Sequence, residues 1–347
     1  MNIKQLVRPN ILKMKAYSSA RDEFKGTASV FLDANENPYN NGLNRYPDPL
    51  AWAVKTELSK IKGIAPEHIF LGNGSDEVID VLMRIFCEPR VDNIVTLPPT
   101  YGMYQVSADT CDVEVIKVNL NENFQPEIDK ILRGANEHSK ILFICSPNNP
   151  SGNAIDAGAI LNLVNKFEGI VVIDEAYADF SQQPSCIEWV TTFPNVVVMQ
   201  TFSKAWGLAG IRLGMAFAGK EIIDLMNKVK PPYNINQLTQ QAALAALKNQ
   251  AETKKQVAEI LRERDFLEKR LSALDVVEKV YPSDANFLLV KVVQADALYN
   301  YLLTKEIVVR NRNNVVLCDN CLRITVGTPE ENEKVANALH QASFQFA

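Results

Sequence analysis

The sequence has few of the residues that usually bind metal ions. Its three histidines, His68, His138 and His340, lie far apart along the chain. Its six cysteines are also scattered: Cys87, Cys111, Cys145, Cys186, Cys318 and Cys321. Cys318 and Cys321 form a CxxC pair, but a zinc site of this type needs a second pair or nearby histidines. We therefore expect no metal site.

Long apolar runs and an excess of charge of one sign are also missing. No run approaches the ~18 apolar residues that cross a bilayer, and residues 1–15 lack the apolar core and cleavage site of a signal peptide. Lysine and arginine total 36 against 41 acidic residues, which gives a net charge of −5. Nucleic acids and anionic membranes are bound by strongly basic surfaces. We expect neither as a partner, and we expect a cytoplasmic protein.

The pattern that is present is typical of an α/β protein. The 347 residues, 47% hydrophobic and 22% charged, suffice for a large core and two domains. Strands are predicted at 93–97, 113–118, 141–145, 170–173, 196–199 and 212–218. Helices are predicted between them at 76–87, 126–132, 157–167 and 221–229. This alternation predicts a mostly parallel sheet with helices on both faces.

The pattern changes after Tyr233. Two helices are predicted first, at 237–248 and 252–274. They are followed by a strand at 286–292, a helix at 295–304, strands near 307–310 and 322–326, and a helix from Glu330. This last part forms a compact α+β unit of about 90 residues, large enough for a second, smaller domain.

A lysine at the end of a predicted buried strand is the most informative feature. Lys204 lies in the segment 201–210, directly after the apolar run 196–199 and shortly before Arg212. A lysine partly removed from water near another cation loses basicity and becomes a nucleophile that forms imines. The neighbouring hydroxyl groups and Arg212 suit a phosphate, and an amine beside a phosphate site is what pyridoxal phosphate (PLP) requires. Taken alone, the segment also fits a lysine that begins a solvated helix.

Two polar motifs follow other predicted strands. Asp174 ends the run 170–173, where its carboxylate suits a protonated pyridine nitrogen, and Tyr177 suits the phenolic oxygen of the same ring. The loop 146–152 follows the strand at 141–145, and its asparagine amides are donors for an anionic ring oxygen. Either motif alone is also what a solvated turn looks like.

Two more segments suit a phosphorylated aromatic ligand. Residues 72–77 precede an amphipathic helix, whose free N–H groups and dipole attract anions. A structural N-cap by Ser75 would give the same sequence pattern. Tyr101, in the segment 98–102, offers a face that stacks on a planar ring, although a core tyrosine fits equally well.

Together these motifs resemble the fold-type I PLP enzymes and, among them, the class II aminotransferases. The segments TFSKAWGLAG, SPNNPSG and DEAY are present, and the resemblance covers nearly the whole chain. Further motifs resemble the histidinol-phosphate aminotransferases: LDANENP (32–38), RYPDP (45–49), GNGSDE (72–77), PTYGMY (99–104) and CLRITVG (321–327). The resemblance implies an α/β fold with a mostly parallel seven-stranded sheet between helices in a large domain, plus a smaller α+β domain.

The resemblance also implies where the domains begin and end. Residues 1–35 would form an N-terminal arm and part of the small domain. Residues 36–245 would form the large PLP-binding domain, and residues 246–347 the small C-terminal domain.

Roles for single residues follow from the same resemblance. Lys204 would bind PLP covalently and act as the base, Asp174 would hold the pyridine nitrogen, and Tyr177 would hold the ring oxygen. The implied cofactor-binding set is Ser75, Asp76, Tyr101, Asn149, Asp174, Tyr177, Ser203, Lys204, Arg212 and, from the other subunit of a homodimer, Tyr46. The implied substrate-binding set is Tyr17, Asn35, Arg310 and Arg323.

One part of the substrate set stays open. Arg323 would take the α-carboxylate of amino-acid substrates and, with Tyr17 and Arg310, the phosphate of the dedicated substrate. The segment 311–320 does not align clearly with the family pattern. The resemblance therefore does not decide between Arg310 and Arg312.

The implied reaction is amino-group transfer between L-histidinol phosphate and 2-oxoglutarate, giving imidazole-acetol phosphate and glutamate, a step of histidine biosynthesis. Transamination of aromatic amino acids and decarboxylation of threonine phosphate are the alternatives on the same fold. A decarboxylase releases CO₂ and needs no amino acceptor, so a keto-acid assay separates them. A PLP-sensing regulator would carry a DNA-binding extension, for which we expect no room at either terminus.

Overall fold

The computed structural model describes residues 1–17, 24, 26 and 28–346. Its larger sheet has seven strands in the order β1-β7-β6-β5-β4-β2-β3. Their bounds are β1 (Ile69–Asn73), β2 (Asn93–Thr96), β3 (Glu114–Lys117), β4 (Ser139–Cys145), β5 (Ile170–Asp174), β6 (Val196–Thr201) and β7 (Leu213–Ala218). β7 runs antiparallel to β1 and β6, and all other neighbours pair in parallel. The predicted mostly parallel seven-stranded sheet is confirmed.

The central strands are buried on both faces, which explains their continuous apolar sequences. Val171 and Ile173 belong to one apolar layer, while Ile170 and Val172 belong to the other. Side chains of successive strand residues point to opposite faces, so a run of apolar residues places hydrocarbon on both. The helices of this part are α1 (Pro9–Lys13), α2 (Trp52–Lys62), α3 (Ser75–Phe86), α4 (Met103–Thr110), α5 (Ile128–Gly134), α6 (Ala157–Lys166), α7 (Lys220–Val229) and α8 (Gln237–Lys248).

A second sheet has four antiparallel strands in the order β10-β11-β9-β8. They are β8 (Val277–Val280), β9 (Phe287–Val292), β10 (Arg310–Asn311) and β11 (Cys321–Thr325). The helices α9 (Gln250–Ser272), α10 (Ala295–Thr304) and α11 (Pro329–Phe346) accompany it. Short 3-10 helices lie at Ile3–Gln5, Pro66–His68, Ala178–Phe180, Cys186–Thr191 and Ala209–Ile211. The smaller α+β unit is therefore confirmed.

The two faces of the small sheet meet different surroundings. Leu322 and Val290 pack in the core of the small unit. Cys321 and Leu289, one position along their strands, belong to an apolar layer of the large sheet. The small sheet thus turns one face toward the large sheet, and this face borders the candidate site.

Some elements differ from the sequence-based expectation. β1, α2, α4 and β8 were not expected, and the strand expected near 307–310 is limited to Arg310–Asn311. Ile307 and Val309 do not belong to a strand but pack against the core of the small unit. Their apolar pattern therefore reflects burial and not strand pairing. The domain boundaries at 35 and 245 stay a prediction, and residues 18–23, 25 and 27 of the expected arm lie outside the described residues.

Among residues 1–17, 24, 26 and 28–346, no helix is both long and apolar enough to cross a membrane.

Candidate active site at the carboxyl edge of the large sheet

A cavity of about 140 Å³ lies where the large sheet ends. The parallel strands β4, β5 and β6 end at this edge, and the antiparallel β7 begins there, so the segments that follow or precede them converge. The cavity is lined by nine of the expected residues: Ser75, Asp76, Tyr101, Asn149, Asp174, Tyr177, Ser203, Lys204 and Arg212. Residues far apart in the sequence therefore share one site.

One end of the cavity is built to hold an anion. Helix α3 begins at Ser75, and its N-cap is Gly74, which has a φ of 79° and offers no side-chain cap. The alternative that Ser75 acts as the N-cap is therefore wrong. A Cβ on Gly74 would lie 2.7 Å from Nη2 of Arg212, so glycine is needed for this approach. Free helical N–H groups beside a guanidinium fit a phosphate group.

Arg212 is held in this position by neighbouring polar groups. Its Nη2 lies 3.5 Å from Oδ2 of Asp76, and its Nη1 donates to the carbonyl oxygen of Ala209 at 3.3 Å. The other carboxylate oxygen of Asp76 accepts from the Tyr101 hydroxyl at 3.1 Å. The Ser203 hydroxyl, 3.0 Å from Oγ1 of Thr201, lines the same cavity. These contacts aim the donors before any ligand arrives.

Asp174 ends β5 and is only 3% exposed. Its Oδ2 accepts a hydrogen bond from the Tyr104 hydroxyl at 2.6 Å, and its Oδ1 accepts one from the Ala176 backbone N–H at 3.1 Å. Burial raises the pKa of the Asp174 carboxyl to about 6, although both hydrogen bonds act to lower it. A cationic partner, such as a protonated ring nitrogen, would strongly stabilise the charged form of a carboxylate buried in this way.

Lys204 lies in a turn after β6, not at the start of a helix. Phe202 and Trp206 anchor the turn in the core, with ring centroids 5.3 Å apart. Lys204, which lies between these two residues in the sequence, lines the cavity. Its Nζ lies 5.6 Å from the ring centre of Tyr177. The side chain remains accessible to solvent through the cavity, yet desolvation, followed by the positive charge of Arg323, lowers its pKa. A lowered pKa increases the fraction of neutral, nucleophilic amine.

Polar side chains link the two sheets across the cavity. Nη1 of Arg323 donates to Oδ1 of Asn149 at 2.5 Å, and the amide nitrogen of Asn149 lies 3.5 Å from the Tyr177 hydroxyl. The guanidinium of Arg323 also lies over the Phe287 ring, 5.2 Å from its centre. Arg323 is thereby fixed above the buried floor of the site, where it can meet an anionic ligand.

Four expected site residues lie elsewhere in the same chain. Tyr17 and Tyr46 line a second cavity of about 530 Å³ together with Trp52 and Lys228. Asn35 lines a third, beside Tyr46. Arg310 is exposed on β10, next to Arg323 in register. The roles expected for these four residues stay predictions.

The sequence did not single out Tyr104, Cys145 or Thr201. Cys145 and Thr201 line the cavity, and their positions at strand ends were a usable signal. Tyr104 is fully buried, with its ring stacked on Phe143 at 4.5 Å. No local pattern indicates that its hydroxyl meets Asp174, because the contact joins two distant parts of the chain.

Replacing Tyr104 by phenylalanine tests this contact in the protein without cofactor. The loss removes a hydrogen bond that favours the charged carboxylate, so the pKa of Asp174 should rise further. Because the pKa of Asp174 is raised in the folded protein, the free energy of unfolding falls as pH rises through about 6. With a still higher pKa of Asp174, the variant should lose more of this free energy than the parent does. We expect a deficit of about 1.5–3 kcal/mol at pH 8 and a smaller one at pH 5, from urea unfolding.

The matched control is Tyr101→Phe, because the Tyr101 hydroxyl bonds Asp76 instead of Asp174. It should show no deficit that grows in this way with pH. A Tyr104→Phe deficit that is the same at both pH values would contradict the role of Tyr104 in holding the Asp174 anion.

Comparisons with known proteins agree with this geometry. The model of the family "aminotransferase class I and II" matches residues 14–339. The histidinol-phosphate aminotransferase of Parabacteroides distasonis is 59% identical over 338 residues, covering 97% of this chain and 98% of that relative.

Two solved structures show the same fold. One is the histidinol-phosphate aminotransferase from Clostridium acetobutylicum, with a TM-score of 0.81, 24% identity and coverage of 87% of this chain and 92% of that one. The other is the enzyme of the same name from Sinorhizobium meliloti in complex with pyridoxal-5'-phosphate, with a TM-score of 0.80, 23% identity and coverage of 87% and 84%. At these identities the structural matches support the fold alone.

Proposed function

The chain belongs to the class I and II aminotransferase family, and from this premise we propose that it transfers the amino group of L-histidinol phosphate to 2-oxoglutarate. The products are imidazole-acetol phosphate and glutamate. The observation that carries the proposal is the 59% identity to a histidinol-phosphate aminotransferase over 97% of the chain. We also propose a cytoplasmic location, because charged substrates of this kind do not cross membranes freely.

The cavity fits PLP, the cofactor of this family. The uncapped start of α3, with Arg212 and Ser203, forms a cradle for its phosphate. The buried carboxylate of Asp174 fits its pyridine nitrogen, and Asn149 and Tyr177 fit its ring oxygen. Tyr101 would stack on the ring. Bound PLP supplies an electron sink that allows the proton on Cα of the amino donor to be removed.

Lys204 would serve as covalent anchor and as base. Among the described residues that line the cavity, Lys204 is the one that carries an amine, and its lowered pKa suits both tasks. The free Nζ would take the proton from Cα of the amino donor in one half of the reaction, and it would supply a proton to Cα of the new amino compound in the other half. The turn that Phe202 and Trp206 anchor in the core would hold the amine at the cavity in both halves of the reaction.

Asp174 would keep the ring nitrogen protonated. Its carboxylate is desolvated, and the donors Tyr104 and Ala176 hold both oxygens in place without neutralising the charge. An ion pair in such a buried position is much stronger than one in water. Asp174 would therefore favour the protonated form of the ring nitrogen.

Arg323 would bind the anionic group of each substrate in turn. One half of the reaction uses the α-carboxylate of glutamate, and the other uses a phosphate ester. A planar guanidinium forms paired hydrogen bonds with either anion. Its bond to Asn149 places this guanidinium beside the ring-oxygen site, on the side of the small sheet.

The proposal includes a homodimer in which Tyr46 reaches the cofactor phosphate of the partner subunit. Tyr46 stacks on Tyr233 at 4.6 Å but lines a different cavity from Lys204. Its segment exposes large apolar side chains, with Leu32 at 87% and Tyr39 at 83%. Exposed apolar groups in this number are typical of a surface that is covered by another chain.

Mixing two inactive variants tests the shared site. Lys204→Ala and Tyr46→Ala chains, unfolded and refolded together in equal amounts, should regain about a quarter of parental activity, since half of the dimers carry one intact site. The control mixture, Lys204→Ala with Asp174→Asn, should regain none, because both residues line the same chain's cavity. Absence of recovery in the first mixture, or a fully active monomer in sedimentation, would contradict the shared site.

Substrate preference tests the proposed reaction itself. The values of kcat/KM for histidinol phosphate, histidinol and phenylalanine should be measured with 2-oxoglutarate as acceptor. Charge-assisted bonds to the phosphate predict a preference of about 10- to 100-fold for the phosphorylated compound. Equal use of all three would favour an aromatic aminotransferase, and CO₂ release from threonine phosphate would favour a decarboxylase.

A further inference from the structure

Glu77 lies in the first turn of α3, in the motif 72–77 that forms the proposed cradle for the cofactor phosphate. The family resemblance implies a role for Ser75 and Asp76 but none for Glu77. A carboxylate has the same sign of charge as a phosphate, so charge alone makes Glu77 an unfavourable neighbour of the cradle. The contacts of its side chain give a different reason for a glutamate at this position.

The start of α3 leaves its backbone donors free for a ligand. Helices usually begin with a side chain that accepts from the N–H groups of the first turn. Gly74 has no such side chain, and in the described part of the chain no hydrogen bond uses the N–H of Ser75, Asp76 or Glu77. These donors fit a phosphate only while the loop before them stays in place.

The carboxylate of Glu77 holds this loop. Its Oε2 accepts a hydrogen bond from the backbone N–H of Asn73, which directly precedes Gly74. In a capping box, the glutamate of the first turn bonds back to the N-cap residue while the N-cap side chain bonds forward to the helix. Here the backward bond is made one residue earlier and the glycine makes no forward bond. The loop is therefore fixed while the helical N–H groups remain free.

Asn234 supports Glu77 from a distant part of the chain. Its amide nitrogen donates to the same Oε2 at 2.8 Å and to the carbonyl oxygen of Leu71, in β1, at 3.0 Å. Its Oδ1 is buried without a hydrogen bond, a cost which indicates that the amide is oriented for its two donor bonds. Asn234 thus joins the end of β1 to the first turn of α3.

The segment that carries Asn234 is itself fixed in the large unit. Ile235, the next residue, is buried. The buried amide nitrogen of Gln240, in α8, donates to the carbonyl oxygen of Ile235 at 3.0 Å and to that of Asp48 at 3.1 Å. Asn234 is therefore a firm support for Glu77.

The loop also packs closely on β7. A Cβ on Gly214 would lie 2.3 Å from the backbone nitrogen of Ser75 and 2.7 Å from the carbonyl oxygen of Gly74. The backbone of the loop thus lies directly against β7, an approach that needs glycine. The loop is confined by this packing and by the bonds to Glu77.

We propose that Glu77 and Asn234 are positioning residues for the cofactor phosphate. Glu77 fixes the loop through the Asn73 N–H, and Asn234 fixes Glu77. The free N–H groups of α3 then meet the phosphate without rearrangement, which would otherwise reduce the affinity. Neither side chain binds the phosphate itself. The inference rests on the proposed phosphate cradle.

Two ligands that differ only in the phosphate measure this role. Pyridoxamine phosphate and pyridoxamine share the same ring, and neither forms a covalent link with Lys204. The ratio of their dissociation constants for the cofactor-free full-length chain therefore isolates the phosphate. We expect the parent to bind the phosphorylated form about 100-fold more tightly or more, by calorimetry, because several charge-assisted hydrogen bonds are involved.

Three variants separate position from charge. Glu77→Ala should lower this ratio about tenfold, because the loop loses the bond that fixes it. Asn234→Ala should lower it about three- to tenfold, because Glu77 loses its support. Glu77→Gln keeps an oxygen that accepts from Asn73 and Asn234, and its ratio should stay within about threefold of the parental one. The affinity for pyridoxamine should stay nearly the same in all three variants.

Glu221→Ala is the matched control. Glu221 is also a glutamate in the first turn of a helix, α7, but it is exposed and does not line the cavity. Its loss should leave the ratio unchanged. The phosphorus NMR signal of bound pyridoxamine phosphate should move in Glu77→Ala and not in Glu221→Ala. If Glu77→Ala fails to fold, Asn234→Ala carries the same comparison.

The outcomes distinguish this inference from the proposed cradle. A parental preference for the phosphorylated form that is unchanged in Glu77→Ala and Asn234→Ala would overturn the positioning role and leave the cradle intact. Tighter binding of pyridoxamine phosphate by both Glu77→Ala and Glu77→Gln would also overturn it, since Glu77 would then act by repulsion alone. Equal losses for both ligands would overturn it as well, because they indicate a general structural role. A parent that binds both ligands equally would overturn the cradle itself.

Discussion

Replacing Lys204 by alanine is expected to lower kcat for transamination by about 10⁴-fold or more. The change removes the amine that anchors the cofactor and also the base that moves the Cα proton, and a positioned base alone contributes about 10²–10⁴-fold. The remaining groups, Arg212, Ser203 and Asp174, still line the cavity. The variant should therefore retain PLP without a covalent link, so that after borohydride treatment, denaturation and filtration the pyridoxyl group should stay with the parent chain but not with the variant.

The matched control for this prediction is Lys220→Ala. Lys220 is an exposed lysine at the start of α7 that pairs with Asp224 at 2.6 Å, away from the cavity. Its loss should leave kcat within about twofold, as expected for a surface ion pair. A Lys204→Ala enzyme with more than a tenth of parental kcat would show that another group supplies the base.

Asp174→Asn is expected to slow both half-reactions by orders of magnitude. Asparagine has the same shape and can still bond with Tyr104 and Ala176, but it carries no charge to keep the ring nitrogen protonated. Stabilisation of the carbanion should then be lost, while the phosphate cradle is unaffected. Single-turnover rates with glutamate and with histidinol phosphate measure the effect separately for each half.

Glu175→Gln is the control for Asp174→Asn. Glu175 is the next residue and is also buried, but it accepts hydrogen bonds from Cys186 and Gln200 rather than lining the cavity. Its replacement should affect stability more than rate. Asp174→Asn rates within tenfold of the parent, a barrier change of about 1.4 kcal/mol, would remove the proposed role of Asp174.

The central part of the fold could be predicted because burial on both faces leaves a direct sequence pattern. The runs in β4, β5 and β6 are continuous and apolar, and each observed strand contains the predicted one. β1 was missed because only Ile69, Phe70 and Leu71 precede Gly72. Helix α4 was missed because Met103–Thr110 is short and largely polar, with Tyr104 and Ala108 buried by tertiary contacts.

The floor of the candidate site could be predicted for a related reason. Polar motifs at the ends of neighbouring strands converge, so Asp174 and Lys204 were found from strand ends. The resemblance singled out Asn149 among the asparagines of its strand-end loop. Contacts made across the fold had no such signal. Tyr104 reaches Asp174 from a helix, so no pattern in the sequence around Asp174 indicates the contact.

Reductive labelling tests the central claim, that Lys204 is the cofactor-bearing lysine, most directly. Borohydride makes a lysine–PLP linkage permanent, so the protein is reduced, digested and mapped by mass spectrometry. The account predicts one pyridoxyl group per chain, on the peptide that contains Lys204, and no label in Lys204→Ala. A label on any other lysine, or none at all, would contradict it.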